Sequence, residues 1–268
     1  MMNSINSAEY VELKRSIYRE YSLSYDKDRQ RFVSPEALLQ RIRWALEPVE
    51  PGHNLLDLGF GSGELLLEAH RQTGGTGVLA GLDLSPEMLS LARVRAGNVA
   101  SLMQGNSLDG LPFIDGIFNL VTSLNLLQEL PAKAIPSLLE QVHRVLRPGG
   151  CFRAVIPCMA DRSPASQAFQ ELAQKRGAMR FWWPEELEAL LTNVPGFTQN
   201  EFRVAASTAG SAAANGKTGF KFFTGLVEEV RNQGLDPEQV KQGVLFFSAR
   251  RDTEKPDLEN RSIEEVRG

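Results

Sequence analysis

Leu55-Leu56-Asp57-Leu58-Gly59-Phe60-Gly61-Ser62-Gly63-Glu64 is the stretch whose reading decides the fold. It opens as a short apolar strand carrying one acidic side chain. Three glycines on alternate positions follow, and then a helix start. Glycine lets the backbone take φ > 0 and lets a ligand lie against bare main chain. The helix beginning near Ser62 points its free N–H groups back at the same spot. In an open α/β sheet this first strand-to-helix turn is where a nucleotide-like ligand sits.

Outward from that turn, strand and helix signals alternate. Strands are predicted at Asn54–Leu58, Val78–Leu82, Val99–Met103, Ile117–Thr122 and Cys151–Ile156. The first connecting helix is read over Ser62–Thr73. Ser85-Pro86-Glu87 caps the next, and Leu138, Leu139, Val142, Val145 and Leu146 mark the last, which closes at a corner, Arg147-Pro148-Gly149-Gly150. This rhythm argues a parallel sheet covered on both faces. Phe197–Ala205 and Val244–Arg250 add a sixth and a last strand.

Two segments interrupt the rhythm. Residues 158–183 end in Phe181-Trp182-Trp183, and 206–242 run from a small-residue stretch into Phe222, Phe223, Leu226, Val227 and Val230 at helical spacing. The expected division is N-terminal helices or a lid in 1–50, a main domain over 51–250 with both insertions forming a substrate cap, and a charged, disordered tail over 251–268. The 206–242 insertion reads as a moving lid or as a dimer contact.

A net charge of −4 gives no electrostatic case for a nucleic-acid partner. No apolar run approaches the ~20 residues of a membrane helix, and the start, Met1-Met2-Asn3-Ser4-Ile5, shows no signal peptide. Cys151 and Cys158, seven steps apart on one strand, would be separated by roughly 23 Å, beyond disulfide reach. Two reduced thiols with no metal spacing read as a cytoplasmic protein, either a monomer or a homodimer.

Ligand identity turns on the spacing. A dinucleotide turn wants G-x-G-x-x-G, with the third glycine permitting close helix packing. Here Glu64 stands at that third position, and Asp57 would repel a pyrophosphate. An acidic residue beside the glycines suits a cationic ligand such as S-adenosylmethionine, which has an ammonium, a sulfonium and no phosphate.

Four stretches together resemble the class I S-adenosylmethionine-dependent methyltransferases, especially the small-molecule branch of ubiquinone, menaquinone, sugar and natural-product methylation. They are Leu56–Gly63, Gly81-Leu82-Asp83-Leu84-Ser85-Pro86-Glu87-Met88, Gly105-Asn106-Ser107 with Leu111–Asp115, and His143–Gly150. The resemblance implies an α/β fold: a Rossmann-like three-layer sandwich with a mostly parallel seven-stranded sheet, an antiparallel last strand and helical lid insertions. It implies a small-molecule acceptor methylated at N, O or activated C, with S-adenosylhomocysteine as product. It assigns Asp57, Gly59, Gly61 and Gly63 to the methionyl end of the cofactor and Asp83 to the ribose hydroxyls. Leu84 and Met88 would sandwich the adenine, although Met88 alone equally fits a core. Asn106, where the family usually has Asp, keeps an acceptor for the adenine amine; Ser107 and Ser123 complete the set.

A general base is harder to find. His53, His70 and His143 all read as structural or solvated. Where many family members carry a His after strand four, this chain has Leu126-Leu127-Gln128-Glu129-Leu130. Glu129 is the candidate there, against its reading as an exposed helix-start carboxylate, and Tyr25 is the other catalytic candidate. Tyr18, Tyr21, Phe181, Trp182, Trp183 and Phe223 are expected to roof the acceptor pocket, with core packing the alternative for the tryptophans. An NAD-dependent oxidoreductase and a cofactor-binding protein without activity remain as competing readings.

Overall fold

The computed structural model describes residues 7–176, 179–192, 194–206 and 221–253. The small-residue run over 207–220 and the tail from 254 onward lie outside the described residues. Ahead of the sheet come α1 (Ser7–Tyr21), α2 (Tyr25–Phe32) and α3 (Pro35–Leu46). The alternating section is β1 (Leu55–Leu58), α4 (Glu64–Gln72), β2 (Leu79–Asp83), α5 (Pro86–Ala96), β3 (Ser101–Gln104), β4 (Phe118–Leu124), α6 (Ile135–Val145) and β5 (Leu146–Met159). After it come α7 (Pro164–Arg176), α8 (Pro184–Thr192), β6 (Phe197–Ala206), α9 (Lys221–Asn232) and β7 (Gln242–Arg251).

The strands form one seven-stranded sheet in the order β3-β2-β1-β4-β5-β7-β6. The first five pair in parallel, and β7 runs antiparallel between β5 and β6. All four residues of β1 are buried, as a strand covered on both faces requires. Leu56 and Leu58 point into the core under α6 and α8. Leu55 points the other way, into the layer built by α3, α4 and α5. This is the three-layer sandwich expected from the sequence.

Local chemistry sets the element ends. Ser34 and Ser85 cap α3 and α5 by accepting the amides of Ala37 and Met88, each with proline in the first turn. The helix after the glycine turn begins at Glu64, two residues later than expected, because Gly61 and Gly63 both take positive φ. Conversely β5 begins at Leu146, earlier than expected: the Arg147–Gly150 corner lies within the strand, and an irregularity in register against β4 between Phe118 and Leu120 absorbs it. Cys151 and Cys158 are both buried, free thiols on β5. No helix among the described residues is long and apolar enough to cross a membrane.

The segments that follow β5 fold back together. Met159, Phe169, Phe181, Trp183, Leu226 and Val230 share a separate small core joining α7 to α9. It sits beyond the C-terminal end of β5, the edge where ligands bind in open α/β sheets.

Candidate active site

The glycine turn is closed by a carboxylate from the next strand. Gly61 N–H donates to Asp83 Oδ2 at 2.9 Å and Ser85 N–H to Asp83 Oδ1 at 2.9 Å, which aims Asp83 from the tip of β2 across the turn. Asp57 lies one layer below, 3% exposed, and accepts a hydrogen bond from Thr122 Oγ1 at 2.8 Å. Burial pushes the Asp57 carboxyl up to about 7, with the Asp83 charge adding to it, and pushes Asp83 up to about 6. Neither carboxylate pairs with a cation among the described residues.

A cavity of about 220 Å³ runs from this turn along the C-terminal edge of the sheet. Gly59, Gly61, Asp83, Leu84, Met88, Asn106 and Ser107 line it, so the structure brings together most of the residues assigned to the cofactor. Asn106 is held in an Asx turn, its oxygen accepting Leu108 N–H at 3.1 Å and its amide donating to Asp109 at 3.0 Å. Gly63 and Ser123 stand apart from the lining. A Cβ on Gly63 would meet Ala92 Cβ at 3.2 Å, so this glycine lets α5 pack against the turn. Ser123 is fully buried in β4, its hydroxyl without a partner among the described residues.

The N-terminal helices form the roof. Tyr18, Tyr21 and Tyr25 all line the cavity, their rings in contact at centroid distances of 6.2 and 5.1 Å. The Tyr25 hydroxyl lies over Gly61, 2.9 Å from where a Cβ would be. Burial raises the Tyr25 hydroxyl to about 12 and lifts Tyr18 well above its ordinary value, so both stay protonated hydrogen-bonding groups. A charged latch holds this roof down. Arg29 donates to Glu64 at 2.9 Å, Asp26 accepts from Arg95 at 2.7 Å, and Arg95 also reaches the Ser62 carbonyl at 3.0 Å. Glu64, which broke the dinucleotide pattern, is thus an anchor for α2.

Glu129 corrects the solvent-exposed reading of that position. It is 7% exposed, lines the cavity, and accepts a 2.6 Å ion pair from Lys14, itself 2% exposed. Tyr10 donates its hydroxyl to the Glu129 carbonyl at 2.9 Å. Asn125, just upstream, takes a left-handed φ of 58°, a conformation Asn tolerates, and its carbonyl accepts the Gln128 amide at 2.6 Å. The backbone after β4 is turned sharply enough to send Glu129 inward.

Phe181 lines the cavity, but the two tryptophans are corrections. Trp182 is 1% exposed in the main core and its backbone extends the sheet, accepting from Met159 N–H at 2.9 Å. Trp183 packs in the α7–α9 core under the Arg162 guanidinium. The side chain of Phe223 lies outside the described residues. His53, His70 and His143 are all away from the cavity, the last stacked edge-on against Phe197 at 5.2 Å. Among the described residues no cluster of His, Cys, Asp or Glu could hold a metal.

Sequence reasoning missed Tyr10, Lys14, Arg41 and Gln242, all in the lining. A signal existed for two of them. Tyr10, Lys14 and Tyr18 recur at i, i+4 and i+8, one face of α1, in line with the tyrosines already noted.

Comparison with known proteins decides the family. A profile described as "Methyltransferase domain" matches residues 55–150. The 2-phytyl-1,4-naphtoquinone methyltransferase of Synechococcus elongatus is 32% identical over 177 residues, covering 63% of this chain and 73% of that protein. The chain belongs to the class I S-adenosylmethionine-dependent methyltransferases. A demethylmenaquinone methyltransferase of Symbiobacterium thermophilum is 36% identical over 107 residues, 38% of this chain and 41% of the relative. The fold matches the Haemonchus contortus phosphoethanolamine N-methyltransferase 2 with a TM-score of 0.66 at 19% identity, over 92% of this chain and 60% of that one.

The methyltransferase therefore uses S-adenosylmethionine to methylate a small molecule, and the oxidoreductase reading falls. Its site fits that cofactor on its own terms. Two buried carboxylates without a cation, under a glycine turn that leaves no room for side chains, match a ligand bearing an ammonium and a sulfonium.

Proposed function

We propose that this methyltransferase places the methyl group on a ring carbon of a flat, hydroxylated aromatic acceptor of the quinol kind. The observation that carries the reading is the cavity wall beyond the glycine turn. Tyr10, Tyr18, Leu130, Pro157, Phe181 and Val244 make a slot for apolar rings, and no histidine among the described residues lines it. The naphthoquinone and menaquinone names of the relatives support the same acceptor class.

In this reading Asp83 takes the ribose hydroxyls, Leu84 and Met88 the adenine faces, and Asn106 with Ser107 its edge. The main chain of Gly59 and Gly61 receives the methionyl end, and Asp57 acts on it through charge from below. Bound S-adenosylmethionine supplies a methyl on a cationic sulfur that departs as a neutral thioether. Glu129, positioned by Lys14, accepts the proton of the acceptor hydroxyl, which raises electron density on the neighbouring ring carbon. That carbon would take the methyl and lose its own hydrogen as a proton to solvent, while Glu129 returns its proton to the oxygen, leaving the C-methylated quinol and a regenerated carboxylate. Tyr18 and Tyr25 stay protonated, so they orient the ligands and exclude water rather than act as bases.

The test is turnover with isotopically labelled S-adenosylmethionine against a reduced naphthoquinone, a matched catechol and a matched arylamine. The expected product is a C-methylated naphthoquinol, identified by NMR. An O-methyl ether or an N-methylamine as sole product contradicts the proposal.

A further inference from the structure

Arg41 is 9% exposed and lines the cavity, yet its guanidinium makes no hydrogen bond or ion pair among the described residues. The side-chain amide nitrogen of Gln242, another lining residue, is buried without an acceptor among the described residues. The two line the same cavity. Trp44, one turn after Arg41, stacks edge-on against Phe246 at 5.0 Å. Alternation along β7 puts Gln242, Val244 and Phe246 on the same face of the sheet. The first residues of β7 pair with Pro157 and Met159 at the end of β5. Arg41, one turn before Trp44, therefore lies on the side of α3 that faces β5 and β7.

The carboxylates of the lining are already engaged. Asp83 is held by the amides of Gly61 and Ser85, and Glu129 by Lys14. A buried guanidinium without a counter-charge disfavours the folded state, so the anion it awaits comes with a ligand. We infer that Arg41 and the Gln242 amide form a binding site for an anionic oxygen, carboxylate or phenolate, carried by the acceptor. This rests on the aromatic-acceptor reading above and adds selectivity for a negatively charged ring.

The experiment titrates the full chain loaded with S-adenosylhomocysteine with 2-naphthoate and with its uncharged counterpart 2-naphthamide. Wild type should bind the carboxylate roughly 10-fold tighter or more. Arg41→Gln should erase that preference while leaving 2-naphthamide and S-adenosylmethionine affinities unchanged, and Arg41→Lys should keep part of it. Equal binding of both probes by wild type, or a preference that survives in Arg41→Gln, overturns the inference and leaves the aromatic reading standing. A fall in S-adenosylmethionine affinity overturns it too, by giving Arg41 to the cofactor's own carboxylate. If neither probe binds, the aromatic reading fails and the inference goes with it. The thermal midpoint of Arg41→Gln should equal or exceed wild type; a fall would show that the fold itself needs the guanidinium.

Discussion

Among the described residues, the carboxylates Asp57 and Asp83 at the ends of β1 and β2 have no cation, whereas the Arg41 guanidinium on the side facing β5 and β7 has no carboxylate. Burial raises Asp57 and Asp83 to about 7 and 6 and lowers Arg41 to about 10. Among the described residues the folded chain supplies neither end with a counter-charge. The fold pairs Lys14 with Glu129 and Arg29 with Glu64, so the charges it leaves unpaired suit a cationic methyl donor on one side and, on the inference above, an anionic acceptor on the other. Tyr18, Tyr21 and Tyr25 line the same cavity.

The contrast can be broken at either end. The largest effect is expected from Lys14→Met, which strands a buried carboxylate and should cost about 4 kcal/mol in urea unfolding. Adding Glu129→Gln to it should restore most of that, and full additivity of the two losses would contradict a coupled pair. Asp83→Ala should weaken S-adenosylmethionine about 100-fold, roughly 3 kcal/mol, with naphthoate binding nearly unchanged. Equal losses of both ligands would show that the two ends are not separable. Glu129→Gln alone should lower kcat roughly 100-fold and spare cofactor affinity, and unchanged turnover would remove Glu129 from the chemistry. Gly63→Ala, strained at φ +84° and pressed on Ala92, should cost about 1–2 kcal/mol in thermal unfolding.

The two ends also differ in how far the sequence reveals them. The donor end is made of local turns at strand tips, where glycine and aspartate are required by backbone geometry within a few residues. Asp57 and Gly61 could be placed from their neighbours, and Asp83 and Asn106 from the short family stretches that carry them. The acceptor end is made by contacts across the chain: Lys14 meets Glu129 over 115 residues, and Trp44 meets Glu201 over 157. No local pattern announces such meetings, so Arg41 and Gln242 looked like ordinary polar residues of a helix and a strand end. Trp182 and Trp183 erred in the opposite sense. Their aromatic cluster resembles a pocket wall, but the backbone of Trp182 joins the sheet beside Cys158 and carries both rings into cores.

The donor-end carboxylates give the most direct test. Their pKa values in the folded chain lie above the ordinary 3.8, so the folded protein keeps protons that the unfolded chain loses. Their contribution to stability therefore declines as pH rises from about 4 to 7. A cationic ligand favours their ionised forms and expels those protons. Calorimetric titration of S-adenosylmethionine from pH 5 to 8, in buffers of different ionisation enthalpy, should show proton release at the acid end and affinity rising until it levels above pH 7. A pH-independent affinity with no proton release would contradict the account of a site built around unpaired carboxylates.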